Sequence, residues 1–280
     1  MFTKRDVANY YNATQLHYEN WWGLKKTHSL HYGIWENGIH TAAAAIANTN
    51  KILMELAGIK ETDYVLDAGC GVGGAAIYIS TNKNARVCGI TLSEKQLAFA
   101  NGLAKEKNVE DKVAFRIMDY TNTEFADETF DVVWACESMT HAMDKKAFIA
   151  EAYRVLKKGG RLIISDFFLS NDNQVDKRSL IKKWIDTWFI NELVSGRYFT
   201  EALQDNGFSV SKNLDYTSQI YKSAKRLYFA ALLGALPAGL YNLFHPKVSA
   251  YSKNHYKCGY YQYKALKKDL WQYRVILAEK

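Results

Sequence analysis

The chain has 280 residues, 48% of them apolar, and 36 Lys and Arg against 29 Asp and Glu give it a formal charge of +7. Length alone allows two domains, but α/β domains of this size are often single, and no Pro- or Ser-rich linker or internal repeat divides the sequence. Cys70, Cys88, Cys136 and Cys258 form no CxxC pair and no metal-ligand spacing, which excludes a disulfide framework and predicts reduced thiols in a cytoplasmic protein.

The opening Met1-Phe2-Thr3-Lys4-Arg5-Asp6 lacks the apolar run of a signal peptide. Residues 1–60 carry Tyr10, Tyr11, Tyr18, Trp21, Trp22, Tyr32 and Trp35, too many rings for a surface extension. One role for them is a lid over a cationic ligand, each ring face contributing ~0.5–2 kcal/mol. The other is packing of the segment on the rest of the molecule, which is the expectation for Tyr11, Trp21 and Trp35.

Tyr64, Val65 and Leu66 form a short apolar strand, and Ala75 to Ile79 begin a helical pattern. Between them stand Asp67 and four glycines within six residues, Gly69, Gly71, Gly73 and Gly74, where ligand can approach bare main chain. Gly69, Gly71 and Gly74 also fit a dinucleotide fingerprint, which calls for an acid about 20 residues further on to hold the ribose. The second strand, Ala85 to Ile90, runs into Thr91-Leu92-Ser93 with no acid closing it, and Ser93 with Gln96 reads as a capping box for a helix reaching about Lys107. A carboxylate ahead of the loop, at Asp67, suits S-adenosylmethionine, which has no phosphate but carries an α-ammonium and a sulfonium.

A third strand with Val113, Phe115, Ile117 and Met118 leads to Asp119-Tyr120, and a fourth at 130–135 leads to Cys136-Glu137-Ser138-Met139-Thr140-His141. If a helical turn starts at Ser138, Glu137 and His141 face the same way. With an ordinary pKa near 6.5, His141 suits a general base, and Glu137 either holds the imidazole or lines the ligand site. The alternative is a histidine that only bonds a loop carbonyl. The fourth strand ends Ala135-Cys136-Glu137-Ser138 with no proline, and both prolines of the chain lie after 236. With the lysines spread out as well, no nucleic acid partner is expected.

A helix ending at Val155-Leu156-Lys157-Lys158 before Gly159-Gly160 leads to a fifth strand at 161–167. Leu180 to Leu193 has the spacing of an amphipathic helix. Residues 228–244 hold no charge over 17 residues, short of the ~20 of a membrane span and interrupted by Gly234, Pro237, Gly239 and Asn242, so a broken helix is expected. It would wall a hydrophobic substrate cavity, touch a membrane through Lys222, Lys225, Arg226 and Lys247, or form a dimer contact. A sixth strand follows Gly207, and Tyr273 to Ala278 form a seventh.

The loop at 65–74, Gly89-Ile90-Thr91-Leu92-Ser93 with Gln96, and Glu137 to His141 together resemble the class I S-adenosylmethionine-dependent methyltransferases. Tyr10-Tyr11, Tyr18, Trp22-Gly23 and His31-Tyr32-Gly33-Ile34-Trp35 resemble the cofactor-covering segment of their tocopherol, sterol and glycine/sarcosine group. The likeness covers nearly all of 5–168. It implies a seven-stranded, mostly parallel Rossmann-like sheet with the last strand antiparallel and helices on both faces. Within one domain, 1–60 would be the cover, 61–168 the cofactor core, 169–265 substrate-side insertions with the sixth strand, and 266–280 the last strand. It also implies cofactor contacts at Tyr18, Tyr32, Gly33, Asp67, Gly69, Cys70, Gly71, Thr91, Leu92 and Gln96, with Asp119 and Tyr120 by the adenine and Cys136 beside them, and His141 and Glu137 in catalysis. The activity implied is methyl transfer to a small lipophilic or amphipathic acceptor at C, N or O, by a cytoplasmic monomer or homodimer with peripheral membrane contact. Cyclopropane synthase-like lipid modification, sarcosine-type amine methylation and cofactor binding without catalysis are the alternatives.

Overall fold

A computed structural model describes residues 2–17, 24–245 and 249–280. Strands β1 (Tyr64–Ala68), β2 (Arg86–Thr91), β3 (Val113–Ile117), β4 (Phe130–Cys136), β5 (Leu156–Leu169), β6 (Ser209–Asp215) and β7 (Trp271–Glu279) form one sheet. Its order is β3-β2-β1-β4-β5-β7-β6, parallel except for β7, which runs against both β5 and β6. The helices are α1 (Lys4–His17), α2 (Leu24–Thr27), α3 (Ala42–Leu56), α4 (Gly74–Lys83), α5 (Glu94–Glu106), α6 (Lys145–Val155), α7 (Leu180–Thr187), α8 (Gly196–Asp205), α9 (Thr217–Phe244), α10 (Ala250–Lys253) and α11 (Lys257–Leu266).

Successive strand side chains feed opposite faces of the sheet. Leu66 and Ala68 pack with Phe148 and Ile149 of α6 and Phe199 of α8, whereas Val65 meets Leu53 of α3 and Ala76 of α4. Both faces are covered, as a parallel sheet requires. A further cluster joins Phe167 and Tyr273 to Trp184 of α7, Ala224 of α9 and Leu266 of α11. Strand order reverses between β1 and β4, which opens a crevice at their carboxyl ends.

Three elements differ from the sequence expectation. The helix before β5 stops at Val155, and Lys157 lies in the strand, its ammonium on Asp131 at 2.9 Å. The amphipathic helix from Leu180 ends at Thr187 rather than Leu193, because the Trp188 amide turns back to Ile185 and Phe189 takes φ 57°. Instead of breaking, α9 runs unbroken through Pro237. Proline there removes one bond, to the carbonyl of Leu233, on a side of the helix that faces solvent, Leu233 being 73% exposed.

Candidate active site

The cavity at the carboxyl ends of β1, β2, β3 and β4 is closed above by α1 and the 28–31 segment. The space it encloses, open solvent at the mouth included, is about 1270 Å³.

Asp67, next to last in β1, lies inside this cavity, 2% exposed, and its Oδ2 has no hydrogen-bond partner. Burial pushes its carboxyl up to about 7, only partly opposed by the Ala76 backbone N–H. A buried acid with an unused oxygen calls for a cation from the ligand. Gly69 beside it takes φ 87°, and a Cβ there would overlap Ser138. Gly74 opens α4, where a Cβ would overlap the carbonyl oxygen of His28, so glycine lets the cover segment close onto the helix.

The Thr91 hydroxyl donates to Gln96 Oε1 at 2.7 Å, and Ser93 caps α5 through Gln96 N at 3.2 Å. Ser93 in turn donates to Asn12 at 2.6 Å, which fixes α1 over α5. Asp119 accepts from the Thr121 amide at 2.9 Å and pairs with Lys4 of α1. The Tyr120 hydroxyl donates to Ser138 O at 2.8 Å, tying the loop after β3 to the loop after β4. Leu92, Cys70, Gly71 and Cys136 also line the cavity.

Glu137 follows β4 with φ 51°, an uncommon conformation for a residue with a side chain. Its Oε1 accepts from the Tyr32 amide at 2.7 Å and the Tyr273 hydroxyl at 2.8 Å, yet burial outweighs both bonds and raises its carboxyl to about 8. His141 closes a 3-10 turn, Met139–His141. Glu137 and His141 both reach the cavity wall, but Glu137 does not hold the imidazole. Tyr11 of α1 does, with its hydroxyl 2.9 Å from His141 Nε2. Burial, helped by the Lys145 charge, pushes His141 down to about 3, so the ring is neutral across the physiological range and a weaker base than its ordinary pKa suggests. The turn is fixed from below: Asp166 accepts from Thr140 N at 2.9 Å, and Lys145 donates to Thr140 O and Ala142 O at 2.9 and 2.6 Å.

Two expected cofactor contacts lie behind the cavity wall. Tyr32 is buried against Phe167 and Tyr273 with its hydroxyl on Gln262, and it serves the site through its amide on Glu137. Gly33 is needed because a side chain would overlap Ala45 of α3. Tyr18, Trp21, Trp22 and Lys247 lie outside the described residues. Tyr11, expected only to pack, lines the cavity, as do Lys4, Val7, Phe167, Trp188 and Met143. Their signal in the sequence is faint: Tyr11 is one ring among many, and Trp188 reaches the wall only because α7 ends at Thr187. The run at 228–244 contributes nothing to this wall.

Residues 66–164 match the family described as a methyltransferase domain. The chain is 36% identical over 167 residues to 27-O-demethylrifamycin SV methyltransferase of Amycolatopsis mediterranei, covering 60% of each chain. It is 30% identical over 226 residues to norajmaline N-methyltransferase of Rauvolfia serpentina, covering 75% of this chain and 77% of that one. Against the rifamycin enzyme and similar curated relatives, the chain spans about three fifths of their length. Among solved structures, the (4+2)-cyclase SpnF superposes with a TM-score of 0.83 at 24% identity, covering 99% of this chain and 97% of that one, a likeness of fold.

Proposed function

The chain belongs to the class I S-adenosylmethionine-dependent methyltransferases, and from that premise we propose that it methylates a small lipophilic or amphipathic acceptor at C, N or O. When bound, S-adenosylmethionine supplies a methyl group on a sulfonium, open to in-line displacement. The observation that carries the reading is the buried Asp67 carboxylate with one oxygen unpartnered, which fits the α-ammonium of this ligand. Around it Gly69, Cys70 and Gly71 line the cavity and would offer main chain, Thr91, Leu92 and Gln96 would hold the ribose, and Asp119 and Tyr120 would flank the adenine.

Alignment of acceptor and methyl group is the main task of such an enzyme. Phe167, Trp188, Met143 and Ala142 give the remaining wall an apolar surface suited to a lipophilic acceptor. His141 and Tyr11 form a neutral pair that orients an acceptor heteroatom and takes its proton where one must leave. Glu137, held by Tyr32 and Tyr273, lines the same cavity and would face the bound cofactor or acceptor. On this reading the enzyme works with reduced thiols in the cytoplasm, as a monomer or homodimer, and draws its acceptor from a membrane surface.

Calorimetry with S-adenosylhomocysteine and NAD tests the cofactor, and a radiolabelled methyl-transfer screen against lipid and metabolite extract of the source cell finds the acceptor. Binding of NAD without S-adenosylhomocysteine would overturn the assignment.

A further inference from the structure

Among the described residues, the outer side of α9 has no partner. Phe229, Leu233, Leu236, Leu240, Leu243 and Phe244 recur at three- and four-residue spacing, so they share one side of the helix, and all are exposed, Leu233, Leu236, Leu243 and Phe244 by 71–74%. The opposite side, at Ala231 and Gly234, is buried. An exposed apolar stripe of this length marks an interaction surface. Lys222, Lys225 and Arg226 continue the same stripe toward the helix N-terminus. They are exposed, and none pairs with an acid among the described residues. The 28 residues of α9 contain no Asp or Glu.

We propose that α9 docks this protein on an anionic lipid bilayer, with headgroups against Lys222, Lys225 and Arg226 and acyl chains against the stripe from Phe229 to Phe244. The helix lies on the bilayer and does not cross it. Its first turns are held in the core by Ile220 and Ala224, and the stripe extends only ~22 Å, short of the ~30 Å of a hydrocarbon core. A second copy is a poorer occupant. A two-fold axis would set the three cations either against each other or against leucines, and no acid on either helix would receive them. Lipid supplies both the apolar and the negative component. The docking surface lies wholly on α9, apart from the cavity. With the methyl-transfer reading, it brings the enzyme to the phase in which a lipophilic acceptor dissolves.

The test is cosedimentation of the full chain with phosphatidylcholine vesicles, with and without phosphatidylglycerol, and S-adenosylhomocysteine calorimetry on the same samples. The wild type is expected to sediment with the anionic vesicles at low salt and to be released at high salt. Replacing Lys222, Lys225 and Arg226 together by Gln should lower partitioning about a hundredfold, about fivefold per cation. Leu233→Glu with Leu236→Glu should abolish it, with S-adenosylhomocysteine affinity unchanged in both variants. If the Glu pair loses that affinity through misfolding, Leu240→Ser with Phe244→Ser at the helix end reads the same stripe. A wild type left in the supernatant at low salt overturns the proposal, as does undiminished binding by the apolar variants. A dimer that these variants convert to monomer, without vesicle binding by the wild type, assigns the face to a second copy and also overturns it. Vesicle binding without S-adenosylhomocysteine binding would sink the methyl-transfer reading and leave the docking standing.

Discussion

Asp67 is the residue on which ligand binding and stability pull in opposite directions. Its folded-state carboxyl lies near 7, above the unfolded value, so its contribution to stability is full at acid pH and is lost as pH rises from about 4 to 7. Ionised and without a ligand, it costs about 4 kcal/mol. Asp67→Asn is therefore expected to raise the melting temperature of the ligand-free protein at pH 9 by about 8 °C, read by calorimetry. The same change should weaken S-adenosylhomocysteine at least about a hundredfold through the lost charge-assisted bond. Wild-type affinity should fall about tenfold per pH unit below 7, since a cationic ligand selects the ionised form. At His141 the expectation is a flat profile. With the ring neutral down to about 3, kcat/KM should show no imidazole limb between pH 5 and 9. Tyr11→Phe should lower kcat about tenfold and leave S-adenosylhomocysteine affinity in place, and an unchanged kcat would reduce Tyr11 to packing.

At the scale of elements, what the sequence revealed was whatever local chemistry decides. Asp67 and the glycines between β1 and α4, the Ser93 cap, and the apolar runs of β1 to β5 carry their own signals, and the fold follows them. What remained hidden depends on long-range packing. Nothing near Tyr11 says that α1 crosses to the loop after β4, and nothing near Tyr32 says that its amide, not its ring, meets Glu137. Pro237 signals a break, yet α9 continues through it on its solvent side, and Phe189 ends a helix whose apolar spacing continues. The closure of 28–31 onto α4 gives a prediction at this scale. Gly74→Ala should displace the His28 carbonyl with about 2 kcal/mol of strain, seen as faster trypsin cleavage after Lys26 and faster release of S-adenosylhomocysteine.

For the whole molecule, a cavity walled by four strand ends, α1 and the 28–31 segment makes ligand and cover stabilise each other. S-adenosylhomocysteine at about a hundred times its Kd should add about 2.7 kcal/mol, raising the melting temperature by roughly 5–10 °C, while NAD leaves it unmoved. The reason for that difference lies at the start of α4. A helix beginning presents bare N–H groups and partial positive charge, and dinucleotide enzymes spend both on a pyrophosphate. Here the Ala76 N–H already faces the Asp67 carboxyl, and the His28 carbonyl oxygen abuts Gly74. One of these N–H groups is thus already engaged within the chain, and the carboxyl that it faces favours a ligand arriving with positive charge over a polyanion.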